Sequence, residues 1–242
     1  MNYRLSLIFS LSFLIFSCTP SPEKQAQKLI ERSIDAHQLS KNWEDVAAVK
    51  FKKMSRQMDE NGAVASESEQ WVEFRLKPYF EGKLTWEKDS VIHVANFNGS
   101  RMSYQMGENP IQNEGFLKSK RAEIETAFFA FAQPWNLSDE SFNLAYEGVK
   151  SVGEGKIAES VQVAHGPNLD FSWIYFDPNS GRVVANQIQA KDHKSLIETV
   201  SYDESSGIVL AKEQKNYRID DIGKKLFLQA DYVYSDYQVT FE

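Results

Sequence analysis

Phe80-Glu81-Gly82-Lys83-Leu84-Thr85-Trp86-Glu87 is the stretch on which the fold of this chain turns. Phe80, Gly82, Leu84 and Trp86 alternate with charged or polar neighbours, so every second side chain falls on one apolar face. A period of two is that of extended backbone, and an apolar face backed by a charged one marks an antiparallel strand with one buried side. Working outward, the same period runs through residues 49–58 and 64–76. These flank Asp59-Glu60-Asn61-Gly62, and Asn-Gly between two strand patterns is a strong hairpin signal. Residues 90–96 and 100–106, joined across Asn98-Gly99, extend the meander, and 107–110 break it.

Two segments keep a different period. Ser21-Pro22-Glu23 has the order of a helix start, with Ser as cap, Pro in the first turn and an acid behind it. Ala26, Leu29, Ile30, Ser33, Ile34 and His37 then follow at steps of three and four, which is one apolar helix face. Residues 118–132 return to that spacing with Ile124, Ala127, Phe128 and Phe131 together, until Pro134 stops the helix. With Phe128, Phe129 and Phe131 so close together, this second helix is expected to be buried on most of its circumference and to lie across a sheet.

Beyond it, strand patterns recur at 142–147, 157–165, 170–177, 182–190, 195–203, 208–217 and 225–241. Turn-forming residues separate them at 153–155, 166–168, 178–181, 205–207 and 220–223. Short strands joined by turns without intervening helices pair antiparallel. About a dozen strands exceed what an open twisted sheet carries without curling, roughly 10. The expected fold is therefore α+β: a strongly curved antiparallel sheet, or half-barrel, with an N-terminal amphipathic helix and a central buried helix.

The first residues read as an export signal. Met1 to Arg4 carry one positive side chain, 5–16 are apolar, and Ser17-Cys18 follow. The apolar run is shorter than the roughly 20 residues of a membrane-spanning helix but fits a secretory signal. Leu14-Ile15-Phe16-Ser17-Cys18 places an aliphatic residue three before the cysteine and a small one just before it, as a lipobox does. An ordinary signal peptide with an incidental cysteine is the alternative. The expected organisation is a signal peptide at 1–17, a lipidated tether at 18–22 and one domain at 23–242. Cys18 is the only cysteine of the chain, so no disulfide can form within it. Acids outnumber bases 34 to 27, a net charge of −7, which disfavours nucleic acid as a partner. Thr19 is not the aspartate that marks inner-membrane retention in some bacteria, and no acidic run of the kind linked to surface export follows Cys18. The outer membrane, on its periplasmic face, is the expected location.

Ile34-Asp35-Ala36-His37 with Trp43, Gly82-Lys83-Leu84-Thr85-Trp86, Phe131-Ala132-Gln133-Pro134-Trp135, and Tyr175-Phe176-Asp177-Pro178 running to Val183-Val184-Ala185-Asn186 together resemble an uncharacterised family of bacterial lipoproteins, over about residues 23–237. The wider architecture resembles the lipoprotein-carrier fold of LolA and LolB, a highly curved antiparallel sheet whose concave apolar face is covered by helices. That resemblance implies a lipid or acyl-chain site and carries no established activity, since fold does not imply function. Gln38 departs from it where such sequences often have glycine; a left-handed residue ending the helix would be costlier there.

Aromatic residues are the richest candidate feature. Trp71, Phe80, Trp86, Tyr104, Phe171, Trp173, Tyr175, Tyr232 and Tyr234 sit in strand patterns. They could line an acyl-binding concavity or fill a solid core under the two helices. The expected ligand-binding set is Trp71, Trp86, Tyr104, Phe128, Phe131, Trp173 and Tyr175, with Cys18 as the lipidation site. No cofactor or metal is expected: His37, His93, His165 and His193 lie in separate elements and make no ligand pair at short spacing. His37 reads as a helix-end residue favoured by the dipole and packed beside Trp43. No nucleophile elbow or phosphate loop occurs, so a non-enzymatic protein is expected. An enzyme would need His93 or His165 in a cleft with an acid and a serine. Tyr232 and Tyr234 are expected to face inward while Tyr237 begins the tail. The leading functional expectation is a membrane-anchored protein that binds a lipid, acyl chain or other apolar ligand in the concave face; the alternative is a structural or interaction module with a packed core.

Overall fold

A computed structural model describes residues 20–153, 155–164, 172–190 and 192–242. Cys18, His165 and Phe171, the expected turn at 166–168, and the expected signal peptide and most of the tether lie outside those residues.

The alternating stretch forms β3 (Glu81–Lys88), whose neighbours are β2 (Val64–Arg75) and β4 (Val91–Phe97). With β1 (Val46–Met58), β5 (Met102–Met106) and the two-residue β6 (Asn109–Pro110) they make a meander. The expected break at 107–110 is thus in part an edge strand, too short and proline-bearing to be seen as a period of two. β7 (Asn143–Val152), β8 (Lys156–Ala164), β9 (Ser172–Phe176), β10 (Val183–Gln189), β11 (Lys194–Asp203), β12 (Leu210–Ile219) and β13 (Lys225–Phe241) form a second meander. β13 then pairs with β1, joining both into one thirteen-stranded antiparallel sheet in the order β6-β5-β4-β3-β2-β1-β13-β12-β11-β10-β9-β8-β7. It is curved and not closed, because so many twisted strands curl.

The chain passes from one edge of this sheet to the other through α2 (Glu114–Phe131) and a 3₁₀ turn at Trp135–Ser138. α1 (Pro22–His37) precedes β1. Both helices pack on the same face, which we call inner. α1 lies over β7 to β10 in a cluster with Val161, Val163, Ile174 and Phe176. α2 lies over β1 to β5 in a cluster with Phe51, Phe74, Leu84 and Phe97. Leu29 and Ile30 of α1 are 4% and 2% exposed, and burying such side chains contributes about 1.5–3 kcal/mol each.

α1 is capped as its sequence indicates, the Ser21 hydroxyl accepting from the Lys24 amide. Gln38 ends it in extended backbone, φ −107° and ψ 110°, so the expected left-handed cost is not incurred. Instead Gln38 bridges Ile208, the amides of Leu39, Ser40 and Lys41 donate to the Gly207 carbonyl, and the Val209 amide donates to the His37 carbonyl. An otherwise orphaned helix-end carbonyl is thereby satisfied by the β11–β12 turn. α2 begins one turn earlier than its apolar spacing indicates because Asn113 caps it, accepting from the Phe116 amide at 2.8 Å. Its expected burial on most of the circumference is not observed: Ile124 alone among its residues is fully buried. Phe128 and Phe131 pack into the β1 to β5 cluster and Phe129 into that of α1, while Lys118, Ala122, Glu125 and Thr126 are exposed. The ion pairs Lys120–Glu123 and Arg121–Glu125 run along the flank, with Lys120 over Trp86 and Arg121 over Phe97.

Candidate functional site

Between the second half of α2 and the inner face of β1, β2 and β10 to β13 lies a cavity of about 80 Å³. The main contacts of α1 are to β7 and the 3₁₀ turn, and those of α2 are to β3, β4 and β5. The inner face of β11 to β13 is therefore left between the two helices. Period-two logic explains who lines it: Phe51 and Lys53 on β1 and Val72 on β2 share the helix-covered side, and Leu210 on β12 closes it opposite. Ala127, Ala130 and Phe131 form the helical wall. The small side chains of the two alanines leave the space that larger ones would fill.

The walls are apolar and the ends are polar. At one end His37 stands edge-on to Trp135 at 5.9 Å and to Tyr202 at 6.4 Å. Trp43 stacks on Trp135, centroids 4.3 Å apart, and so reaches His37 only through it. The His37 ring donates from Nδ1 to the Ser33 carbonyl at 2.7 Å. Burial holds its pKa at about 4, against the pull of that hydrogen bond. His37 ends α1 as expected, but desolvation there outweighs any favourable effect of the helix dipole on its charged form. Tyr202 donates to the Val183 carbonyl at 2.7 Å, and burial pushes its hydroxyl up to about 12. Gln133 and Asn186 also line the cavity, and their buried carbonyl oxygens have no hydrogen-bond partner among the described residues.

At the other end stand Lys53, Tyr234 and Tyr237. Tyr234 donates to Gln214 Oε1 at 2.9 Å and Tyr237 to the Ala211 carbonyl at 2.6 Å. Burial pushes both phenols well up. Tyr237 does not begin a tail: β13 runs on to Phe241, and Tyr237 packs at 5.3 Å on Phe51 beside Tyr234. A bulge permits this. The register with β1 shifts between Lys50 and Lys52, and Asp236 takes φ 55°, so residues three apart face the same way.

The expected ligand-binding residues separate into four places. Phe131 lines the cavity. Phe128 packs beneath α2 between Phe74 and Phe80, at 5.2 and 4.7 Å. Trp86 and Tyr104 lie under the first half of α2, where Tyr104 meets Phe116 edge-on and Lys120 sits over both rings. Trp71, Trp173 and Tyr175 are on the outer face, away from the cavity. Trp71 neighbours the inward Val72 and is flanked by Lys50 and Lys52. Trp173 and Tyr175 alternate with the inward Ile174 and Phe176 and join an outer cluster with Ala158, Ala185 and Leu196. There Trp173 donates to Glu147 and Tyr175 to Gln187, while Glu198, 6% exposed, pairs with Lys225 at 2.9 Å. Aromatic content alone does not choose a face when both faces carry a cluster. The residues that sequence reasoning passed over, Lys53 and Ala127, were visible in the pattern: Val49, Phe51 and Lys53 continue one face, and Ala127 interrupts a row of phenylalanines.

Among the described residues no three His, Cys, Asp or Glu side chains come together as a metal group. His93 Nδ1 pairs with the Tyr104 hydroxyl at 2.7 Å and stacks on Trp86, and His193 pairs with Asp192. No helix among the described residues is long and apolar enough to cross a membrane.

No protein-family model matches the chain, and no curated protein matches it. Solved structures do. A LolA superfamily protein from Nitrosomonas europaea superposes with a TM-score of 0.55 at 10% identity, over 93% of this chain and 96% of that one. A proposed outer membrane lipoprotein-sorting protein domain from Vibrio parahaemolyticus gives 0.52 at 8% identity, over 88% and 93%. A DUF1329 family protein from Desulfovibrio piger gives 0.50 at 10% identity, over 91% and 94%. At such identities the likeness is one of fold, and the fold is LolA/LolB-like, as the resemblance implied.

Proposed function

We propose, from this LolA/LolB-like half-barrel, that the chain is a non-catalytic binding protein that takes a lipid, acyl chain or other apolar ligand between α2 and the inner face of its sheet. One observation carries the reading: the inner face has a cavity with apolar walls whose cover, α2, has a single fully buried residue. At about 80 Å³ the cavity is smaller than the roughly 300–1,000 Å³ of ordinary ligand sites. A ligand chain therefore enters by moving α2, and each CH₂ it buries contributes about 0.8 kcal/mol. The names of two structural neighbours, a LolA superfamily protein and a proposed lipoprotein-sorting domain, agree with this reading.

The same proposal places the domain on the periplasmic face of the outer membrane, held by lipid on Cys18, with only 19–21 between the lipidated residue and α1. A single acyl chain holds a protein marginally, and the several chains of a processed lipoprotein hold it firmly. The test of binding is lipid extraction and mass spectrometry of protein produced from Ser21 onward. We expect co-purified lipid, and its loss in Ala127→Phe, which fills the cavity. A lipid-free wild type that takes up no added alkyl ligand would refute the reading in favour of a packed interaction module. For the anchor, Cys18→Ala is expected to move the folded chain from the membrane to the soluble fraction.

A further inference from the structure

The inner positions of β1 run Val49, Phe51, Lys53, two apolar side chains and then a cation. Lys50 and Lys52, on the outer face of the same strand, each have a carboxylate, Glu73 at 4.0 Å and Glu69 at 3.3 Å. Lys53 has no carboxylate within ion-pair reach among the described residues. Its ammonium lies over the rings of Tyr232, 4.6 Å from the centroid, and Tyr234, 6.0 Å away. The acid that acts on it most, Glu123 of α2, is held by Lys120 at 2.6 Å. Taking an ammonium out of water without an anion is costly, and ring faces offset only part of that cost. Burial accordingly pushes its pKa down, with Glu123 opposing.

Resting on the reading of the cavity as an apolar-ligand site, we propose that Lys53 is its anion-binding group and that the ligand is an alkyl carboxylate whose head pairs with the Lys53 ammonium. Charge complementarity selects the head. One ammonium neutralises one negative charge, and Glu123 nearby opposes a second. No arginine lines the cavity among the described residues, so the planar fork that suits phosphate is missing. The chain then lies along Phe51, Val72, Leu210 and the α2 wall, which offer it no polar partner.

The experiment measures retention of radiolabelled dodecanoate, 1-dodecanol and dodecyl phosphate on the immobilised full chain in non-ionic detergent at pH 8. Wild type is compared with Lys53→Met and Lys53→Arg, and thermal unfolding of each variant is recorded beside it. Partition into detergent is common to all variants and cancels in their ratios. We expect Lys53→Met to lower dodecanoate retention about tenfold to a hundredfold, the range of a hydrogen-bonded charge pair. Dodecanol retention stays unchanged, and Lys53→Arg keeps most of the dodecanoate. Lys53→Met is expected to fold, since it removes a half-buried charge that has no carboxylate partner among the described residues; Lys53→Gln serves as the second neutral variant. Equal loss of dodecanoate and dodecanol, or loss of neither, overturns the role of Lys53 while leaving the apolar site standing. Tighter retention of dodecyl phosphate than of dodecanoate overturns the carboxylate assignment. Retention of no probe by wild type overturns the site itself, and with it this assignment.

Discussion

The two helices cover the same face of one sheet and are held there in different ways. α1 buries five of its sixteen residues, ties its last carbonyl and the residues after it to the β11–β12 turn, and adds an Arg32–Glu159 ion pair to β8. α2, at eighteen residues, fully buries Ile124 alone and carries the charged pairs Lys120–Glu123 and Arg121–Glu125 along its flank. Segments with few buried apolar contacts open at lower free energy than a packed core. In this fold, then, one helix is part of the core and the other is a cover, and the cavity lies beside the cover.

The largest effect that could break this comparison comes from α1. Leu29→Ala removes a buried side chain among Ala26, Ile30 and the inner strands, and we expect it to cost about 2–5 kcal/mol, read by urea unfolding. A loss below 1 kcal/mol would show α1 to be as loosely held as α2.

Next comes acid. His37 has a folded pKa of about 4 against an ordinary 6.5, so the unfolded chain takes up its proton first as pH falls. Its contribution is present above pH 6.5 and is lost between 6.5 and 4, about 3 kcal/mol in all. Urea midpoints at pH 7, 5.5 and 4 are expected to fall more steeply for wild type than for His37→Phe. Parallel profiles would place the histidine in water.

Gly82 sharpens the other side of the comparison. A Cβ added there meets Ile124 Cγ2 at 2.3 Å, so β3 and α2 touch where only glycine fits. Gly82→Ala is expected to cost about 1–3 kcal/mol and to raise uptake of an alkyl probe by lifting the cover. Unchanged stability would mean that α2 already stands clear. Smallest of all, Arg121→Ala breaks an exposed helix pair with Glu125 and is expected to change stability by about 0.5 kcal/mol or less.

How much of this was legible in the sequence depended on which physical signal wrote it. The alternation of Phe80 to Glu87, the Asn61-Gly62 turn and the Ser21-Pro22 cap act locally, so most strand ends, the hairpins and α1 could be read within a residue or two, while β1 starts three residues earlier than its pattern and β7 runs five residues further. Faces were harder. Trp71, Trp173 and Tyr175 sit in good strand patterns, but the outer face has its own aromatic and aliphatic cluster, built from strands distant in sequence. Tyr237 turned inward because of a bulge at Asp236, and one inserted residue flips every side chain after it. Three phenylalanines in four residues imply more burial of α2 than it has, while Lys118, Glu125 and Thr126 in the same helix mark an exposed face. Lys53 stood in the alternation of Val49 and Phe51 as a cation in an apolar register, a signal stronger than any of the aromatic residues.

Amide hydrogen exchange, with and without dodecanoate, tests the central claim most directly. We predict that α2 exchanges faster than α1 in the free protein, and that ligand slows α2 and the inner strands β11 to β13 while leaving α1 unchanged. Exchange of α1 and α2 at one common rate, untouched by ligand, would contradict the account of a covered binding cavity.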